Sequence, residues 1–150
     1  MTDPIAPGVA HSPGGALAPG PADSSLITYT HVIYALHSLA ILIGLGTAWT
    51  VVGSFLLGVP SIVAVIMNYA RQKDARGTFL ESHFRWQIHT FWYALLWAVI
   101  IGIVSLPLVL LFGLGLLTWW IGVAFLGVWL IYRVARGWLA LRDGRPVVSL

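Results

Sequence analysis

Charge is what this sequence has least of. Asp, Glu, Lys and Arg make up 9% of its 150 residues, while apolar types make up 59%. A soluble domain carries about a quarter charged residues. So few charges cannot cover a water-facing surface, so much of this surface must face lipid. Cysteine is absent, which excludes disulfides, thiolate nucleophiles and cysteine-bound metals. Lys and Arg are missing from Met1 to Asp23, where Asp3 and Asp23 are the charged groups. A secretory signal needs a basic leading region, so none is expected, and the first membrane helix must direct insertion. Phosphate loop, nucleophile elbow, zincin and dinucleotide fingerprints are also missing. No catalytic residue, cofactor or metal ligand is therefore expected.

What is present falls into three parts. Residues 1–23 are rich in Pro, Gly and Ala with no apolar period, the composition of a disordered tail. Residues 24–142 read as a transmembrane helical domain, and 143–150 as a short cytoplasmic tail. No charge occurs from Leu26 to Tyr69, a run that would be about 66 Å long as one helix. The hydrocarbon core is about 30 Å thick and needs roughly 20 residues per crossing. Two crossings, Leu26–Leu45 and Val51–Ala70, with a turn between Gly44 and Gly53, fit better than one. Pro60 falls inside the second, which membrane helices tolerate. After the polar stretch Arg71–Gly77, Thr78 and Glu81 have capping-box spacing and predict the start of a third helix, with Pro107 kinking or ending it. Gly113 and Gly115 predict the next turn, and a fourth helix covers Leu116–Leu141. The expected fold is all-α and integral to the membrane, with four short transmembrane helices, or three.

The basic residues set the orientation. Arg71, Lys73, Arg76 and Arg85 flank one connection, and Arg133, Arg136, Arg142 and Arg145 lie near the C-terminus. The positive-inside rule makes both regions cytoplasmic, and four helices then make the N-terminus cytoplasmic too. Trp49, Trp119 and Trp120 fall at the outer interface, and Trp86, Trp92, Tyr93, Tyr132 and Trp138 near the inner one. The basic edges read as topology signals and contacts for anionic lipid headgroups, not as a nucleic-acid surface.

Polar residues form stripes at helical spacing. Glu81, Arg85 and His89 lie at i, i+4 and i+8. The plain reading is a capped helix entry with an ion pair worth about 0.2–0.5 kcal/mol. The functional reading is a contact for a lipid headgroup or a partner carboxylate, with Arg85 supplying a planar fork. His83, Gln87 and Thr90 form a second stripe, matched on the first helix by Thr30, Tyr34, His37 and Ser38. The plain reading is interhelical hydrogen bonding, and the functional one a proton or ion relay. Ser54, Ser61 and Asn68 recur every seven residues, as at a helix–helix seam. The spacings His31–His37 and His83–His89 fit neither i+4 nor i+7, so haem or metal ligation by one helix face is not expected.

The segment Gly77-Thr78-Phe79-Leu80-Glu81-Ser82-His83-Phe84-Arg85-Trp86-Gln87-Ile88 resembles a family of small bacterial inner-membrane proteins of unassigned function, broadly similar to Tic20-like membrane proteins. Thr90-Phe91-Trp92, Asn68-Tyr69 and the C-terminal Tyr132-Arg133, Gly137-Trp138, Leu141 and Asp143-Gly144-Arg145-Pro146 fit the same pattern. His89 stands where that pattern has Arg, and the first two helices occupy a longer stretch. The resemblance implies a multi-pass inner-membrane protein and supplies no catalytic residues. A non-enzymatic scaffold or accessory subunit with an unidentified membrane protein partner is the leading expectation. A small oligomeric transporter or channel is the alternative, followed by a histidine-dependent redox or lipid enzyme.

Overall fold

The computed structural model describes residues 20–47, 51–111 and 113–148, with the side chains of Leu45, Thr47, Leu110 and 51–57 excluded. The tail through residue 19, Trp49, Thr50 and the Ser54 side chain lie outside it. Four helices follow one another: α1 Ser24–Thr47, α2 Val51–Arg71, α3 Leu80–Leu110 and α4 Leu114–Arg142. Three of them, α1, α3 and α4, are long and apolar enough to cross a membrane. A helix satisfies every backbone N–H and C=O within its own segment, which suits an apolar chain in hydrocarbon that offers those groups no partner.

The helix ends have local causes. Asp23 opens α1 as its N-cap. Its carboxylate accepts from the Ser25 amide at 3.1 Å and the Ser25 hydroxyl at 2.8 Å. Its carbonyl accepts from Ile27 at 3.0 Å, so the helix begins ahead of the expected Leu26. The start of α3 corrects the expected capping box. Thr78 Oγ1 accepts from the Leu80 amide at 3.2 Å, and Glu81 Oε2 from the Gly77 amide at 3.0 Å. Phe79, in the αR region, occupies the cap position with no side-chain bond. Both halves of the motif exist, but they serve different amides, because Gly77 turns the chain at φ 74°.

Pro107 does not end α3 at Leu106. The helix continues to Leu110, and its last turn closes with Leu111 N donating to Pro107 O at 3.2 Å. Gly113, at φ 70°, makes the turn into α4. Gly115 lies inside α4 and not in that turn. It is buried where the Ser105 carbonyl and the Val109 amide come too close for any Cβ. At its far end α4 closes in a Schellman motif: Arg145 N donates to Ala140 O at 2.9 Å, Gly144 N to Leu141 O at 3.0 Å, and Gly144 has φ 65°. That motif turns the chain back toward the bundle.

The helices run up and down, with α1 packed on α2 and α3 on α4, and the two pairs joined through α1–α4 and α2–α3. The starts of α1 and α3 and the ends of α2 and α4 therefore meet at one end. The core sits there: Leu26, Ile33 and Tyr34 of α1, Ala64 of α2, Ala75 of the loop, Leu80 and Phe84 of α3, and Val134 and Leu141 of α4. Every Asp, Glu, Lys and Arg among the described residues belongs to that same end. Gly20 ties to it as well, donating to the Gly77 carbonyl at 3.0 Å. The opposite half differs. Among the described residues from Phe91 to Arg133, Ser105 and Gly115 alone are buried.

Candidate functional site

The charged end of the bundle is tied by a set of buried polar bonds. His83, fully buried, places Nε2 2.8 Å from the Arg145 carbonyl and Nδ1 3.0 Å from the Tyr34 hydroxyl. A carbonyl can only accept, so Nε2 carries the proton and Nδ1 accepts from Tyr34. One imidazole thus links α1, α3 and the C-terminal tail. Trp138 stacks on Tyr34 with centroids 6.4 Å apart and donates its indole N–H to His31 Nδ1 at 2.9 Å. Close approach is possible because α4 has Gly137 facing the Tyr34 ring. Val147, itself buried, donates its amide to Ser82 Oγ at 3.0 Å. The tail after Gly144 is therefore a strap across the start of α3, where the sequence predicts only a short appendage.

The stripes meet where α1, α3 and α4 pack. Tyr34, His37, Trp86, Gln87, Thr90 and Val134 line one narrow space with no room for a water molecule. His37 Nδ1 donates to Ile33 O at 3.0 Å, which leaves Nε2 as a buried acceptor without a partner. Both amide atoms of Gln87 are likewise buried and unpartnered. Thr90 is differently placed: its hydroxyl donates to Trp86 O at 2.7 Å and accepts from Arg133 Nε at 2.8 Å. The guanidinium of Arg133 lies 3.7 Å over the Trp86 ring, and the Trp86 indole donates to Arg133 O at 3.1 Å. Trp129 adds a second ring, its centre 5.1 Å from the guanidinium carbon, so a charge carried well inside the last helix is held by two π-faces and one hydroxyl.

The outer stripe is less integrated. Arg85 Nη2 donates to Glu81 Oε1 at 3.1 Å, with the side chains 64% and 41% exposed. His89 is exposed and meets Tyr93 edge-on at 6.3 Å. Asn68 of the predicted α2 seam is buried with both amide atoms unpartnered. Among the described residues no three His, Asp or Glu side chains converge as a metal group.

Beyond the stripe residue Tyr34, the side chains of Trp86, Arg133 and Trp138 and the tail carry this end, and the stripes do not indicate them. A signal for Arg133 exists in the sequence: a cation nine positions before the end of a membrane helix must find a partner. Gly144 followed by Pro146 is likewise a helix-stop signature that turns the tail. No family model, curated protein or solved structure matches this chain.

Proposed function

We propose that this chain is a non-enzymatic scaffold or accessory subunit of a bacterial inner membrane, multi-pass, with both ends cytoplasmic. It would belong with the small inner-membrane proteins that its Gly77–Ile88 segment and its tail resemble. One observation carries the proposal, the unequal halves of the bundle. The charged end is locked by its own hydrogen bonds. In the other half α3 and α4 pack on each other, through Gly115 on Ser105 and Gly122 on Ile101, and leave Leu96, Ile103 and Leu106 exposed along one face of α3. A hydrogen-bonded foot with an exposed apolar face on α3 suits a protein that docks against another membrane helix. The space where the polar stripes meet within one chain is too narrow for water, so an oligomeric transporter would need its passage between chains.

A photoreactive residue at Leu96 or Ile103 in native membranes tests the proposal. The expected result is a discrete protein adduct, with no ion or proton flux from the purified chain in liposomes. Flux by the chain alone, abolished by Gln87→Leu, would replace the scaffold with a channel. Reporter fusions after Asp23, after Asp74 and at Leu150 should give cytoplasmic signals and one near Thr50 an outside signal. An outside signal at Asp23 would favour three crossings.

A further inference from the structure

The strap and α4 enclose a groove of about 430 Å³ that the polar knot does not use. Tyr132, Arg136 and Leu139 form one wall, and Arg145, Val147 and Val148 the other. Arg136 reaches across it, donating to Val148 O at 3.3 Å and to the Tyr132 hydroxyl at 3.4 Å. Both bonds are long, and a guanidinium has five N–H donors, so most of its donor capacity remains. Arg136 and Arg133 share one indole: their guanidinium carbons lie 5.6 Å and 3.7 Å from the Trp86 ring centre. Two like charges are thus held close together, and among the described residues neither has a carboxylate in ion-pair range. Arg145, on the opposite wall, pairs with Asp143 at 2.7 Å, and Asp143 is shared with Arg142 at 4.0 Å. The groove is therefore net cationic.

Depth identifies the anion. From Leu114 to Tyr132, α4 carries no charge over roughly 19 residues, about 28 Å of helix, close to the ~30 Å hydrocarbon thickness. Arg133 and Arg136 then lie in the headgroup layer at the charged end. Beyond Arg136 the same face of α4 continues into hydrocarbon as Tyr132, Val128 and Phe125, exposed to 58%, 68% and 77%. From Arg136 to Phe125 the positions recur at steps of four, four and three, one stripe about 16 Å long, roughly the thickness of one leaflet's acyl region.

The geometry points to a specific site for an anionic phospholipid, its phosphate between Arg136 and Arg145 and an acyl chain along Tyr132, Val128 and Phe125. A planar fork takes phosphate oxygens in two-point fashion, and the phosphate would relieve the repulsion between Arg133 and Arg136. The inference rests on the membrane-embedded reading but not on the α3 docking face.

Native mass spectrometry of the full chain in detergent, titrated with phosphatidylglycerol and separately with phosphatidylcholine, tests it. The wild type should retain phosphatidylglycerol at roughly tenfold lower concentration than phosphatidylcholine, the difference expected of one charge-assisted contact. Arg136→Gln should remove that preference, and Arg136→Lys should recover only part of it. Arg76→Gln, a basic residue of the same end outside the groove, should leave it intact. An Arg136→Gln protein that keeps the preference overturns the site. So does an equal loss in Arg76→Gln, which would mean diffuse surface charge. Displacement of the lipid by millimolar inorganic phosphate would make the ligand a soluble phosphate and overturn the lipid assignment. A misfolded Arg136→Gln, detected by circular dichroism, leaves Arg136→Lys to decide: full wild-type preference in Lys removes the fork from the argument and refutes it. Failure here with a protein adduct still formed at Ile103 removes the lipid site and leaves the scaffold standing.

Discussion

Gly137→Ala puts one methyl group where α4 packs against the Tyr34 ring of α1. A Cβ at Gly137 would collide with the Tyr34 hydroxyl and lie 2.9 Å from ring carbons Cε1 and Cζ. Tyr34 is 1% exposed and cannot swing away. Its ring is stacked on Trp138, and its hydroxyl is committed to His83 Nδ1 at 3.0 Å. Three effects compete. Overpacking a filled core costs about 1–3 kcal/mol. Loss of the Tyr34–His83 bond adds about 0.5–1.5 kcal/mol. Replacing glycine in a helix returns at most about 1 kcal/mol. The net expectation is destabilisation by about 1–3 kcal/mol, read by far-UV circular dichroism as dodecyl sulfate is titrated into mild-detergent micelles. Gly127→Ala is the control, because a Cβ there meets nothing within 4 Å, so helix propensity alone acts and stability should hold or rise. Tyr34→Phe removes the colliding atom, so it should cost less in the Gly137→Ala background than alone, a coupling that a double-mutant cycle isolates. Equal stability of Gly137→Ala and Gly127→Ala would refute the close packing of α1 on α4.

Three further outcomes are expected. Thr78→Ala should cost about 0.5–2 kcal/mol and speed hydrogen exchange at Leu80, whose amide the hydroxyl holds, but not at Glu81, which bonds to the Thr78 carbonyl. Faster exchange at Glu81 alone would restore the capping box read from the sequence. Hydrogen bonds from the Ser25 hydroxyl and amide hold the Asp23 carboxyl below its ordinary 3.8. The stabilisation is present above that value and is lost as pH falls through the lowered one. Unfolding followed from pH 6 downward should therefore lose less stability in Asp23→Asn than in the wild type, and parallel acid limbs would deny the cap a charged role. Arg85→Lys should change stability by no more than about 0.5 kcal/mol, since the pair with Glu81 is exposed. If the planar fork docks lipid or partner, their recovery should still fall at matched expression, and equal recovery would reduce Arg85 to a topology charge.

The sequence by itself determined the helical fold, helices long and apolar enough to cross a membrane, and the gathering of charge at one end of them. Hydrocarbon forbids open backbone groups, so a long uncharged run has to become helices of bilayer length, and charge has to gather where helices leave lipid. The expected second helix, Val51–Ala70, falls one residue short of the observed α2, because that boundary is set by the first charge, Arg71. Boundaries set by local geometry were less legible. Pro107 reads as a kink or a stop, and α3 runs through it to Leu110. Gly115 reads as a turn, yet it is the contact that lets α4 sit on the end of α3. The stripes through His37, His83, Gln87 and Thr90 were visible as periodicity, which fixes a helix face but not what that face meets. Tertiary structure alone decided that His83 takes its partners from Tyr34 and from the Arg145 carbonyl, and that Arg133 rests on Trp86. Those contacts join residues 47 to 62 positions apart. Their existence depends on which helices become neighbours and at what rotation, a choice made by packing volume and by the turn at Gly144, not by any local pattern of residue types.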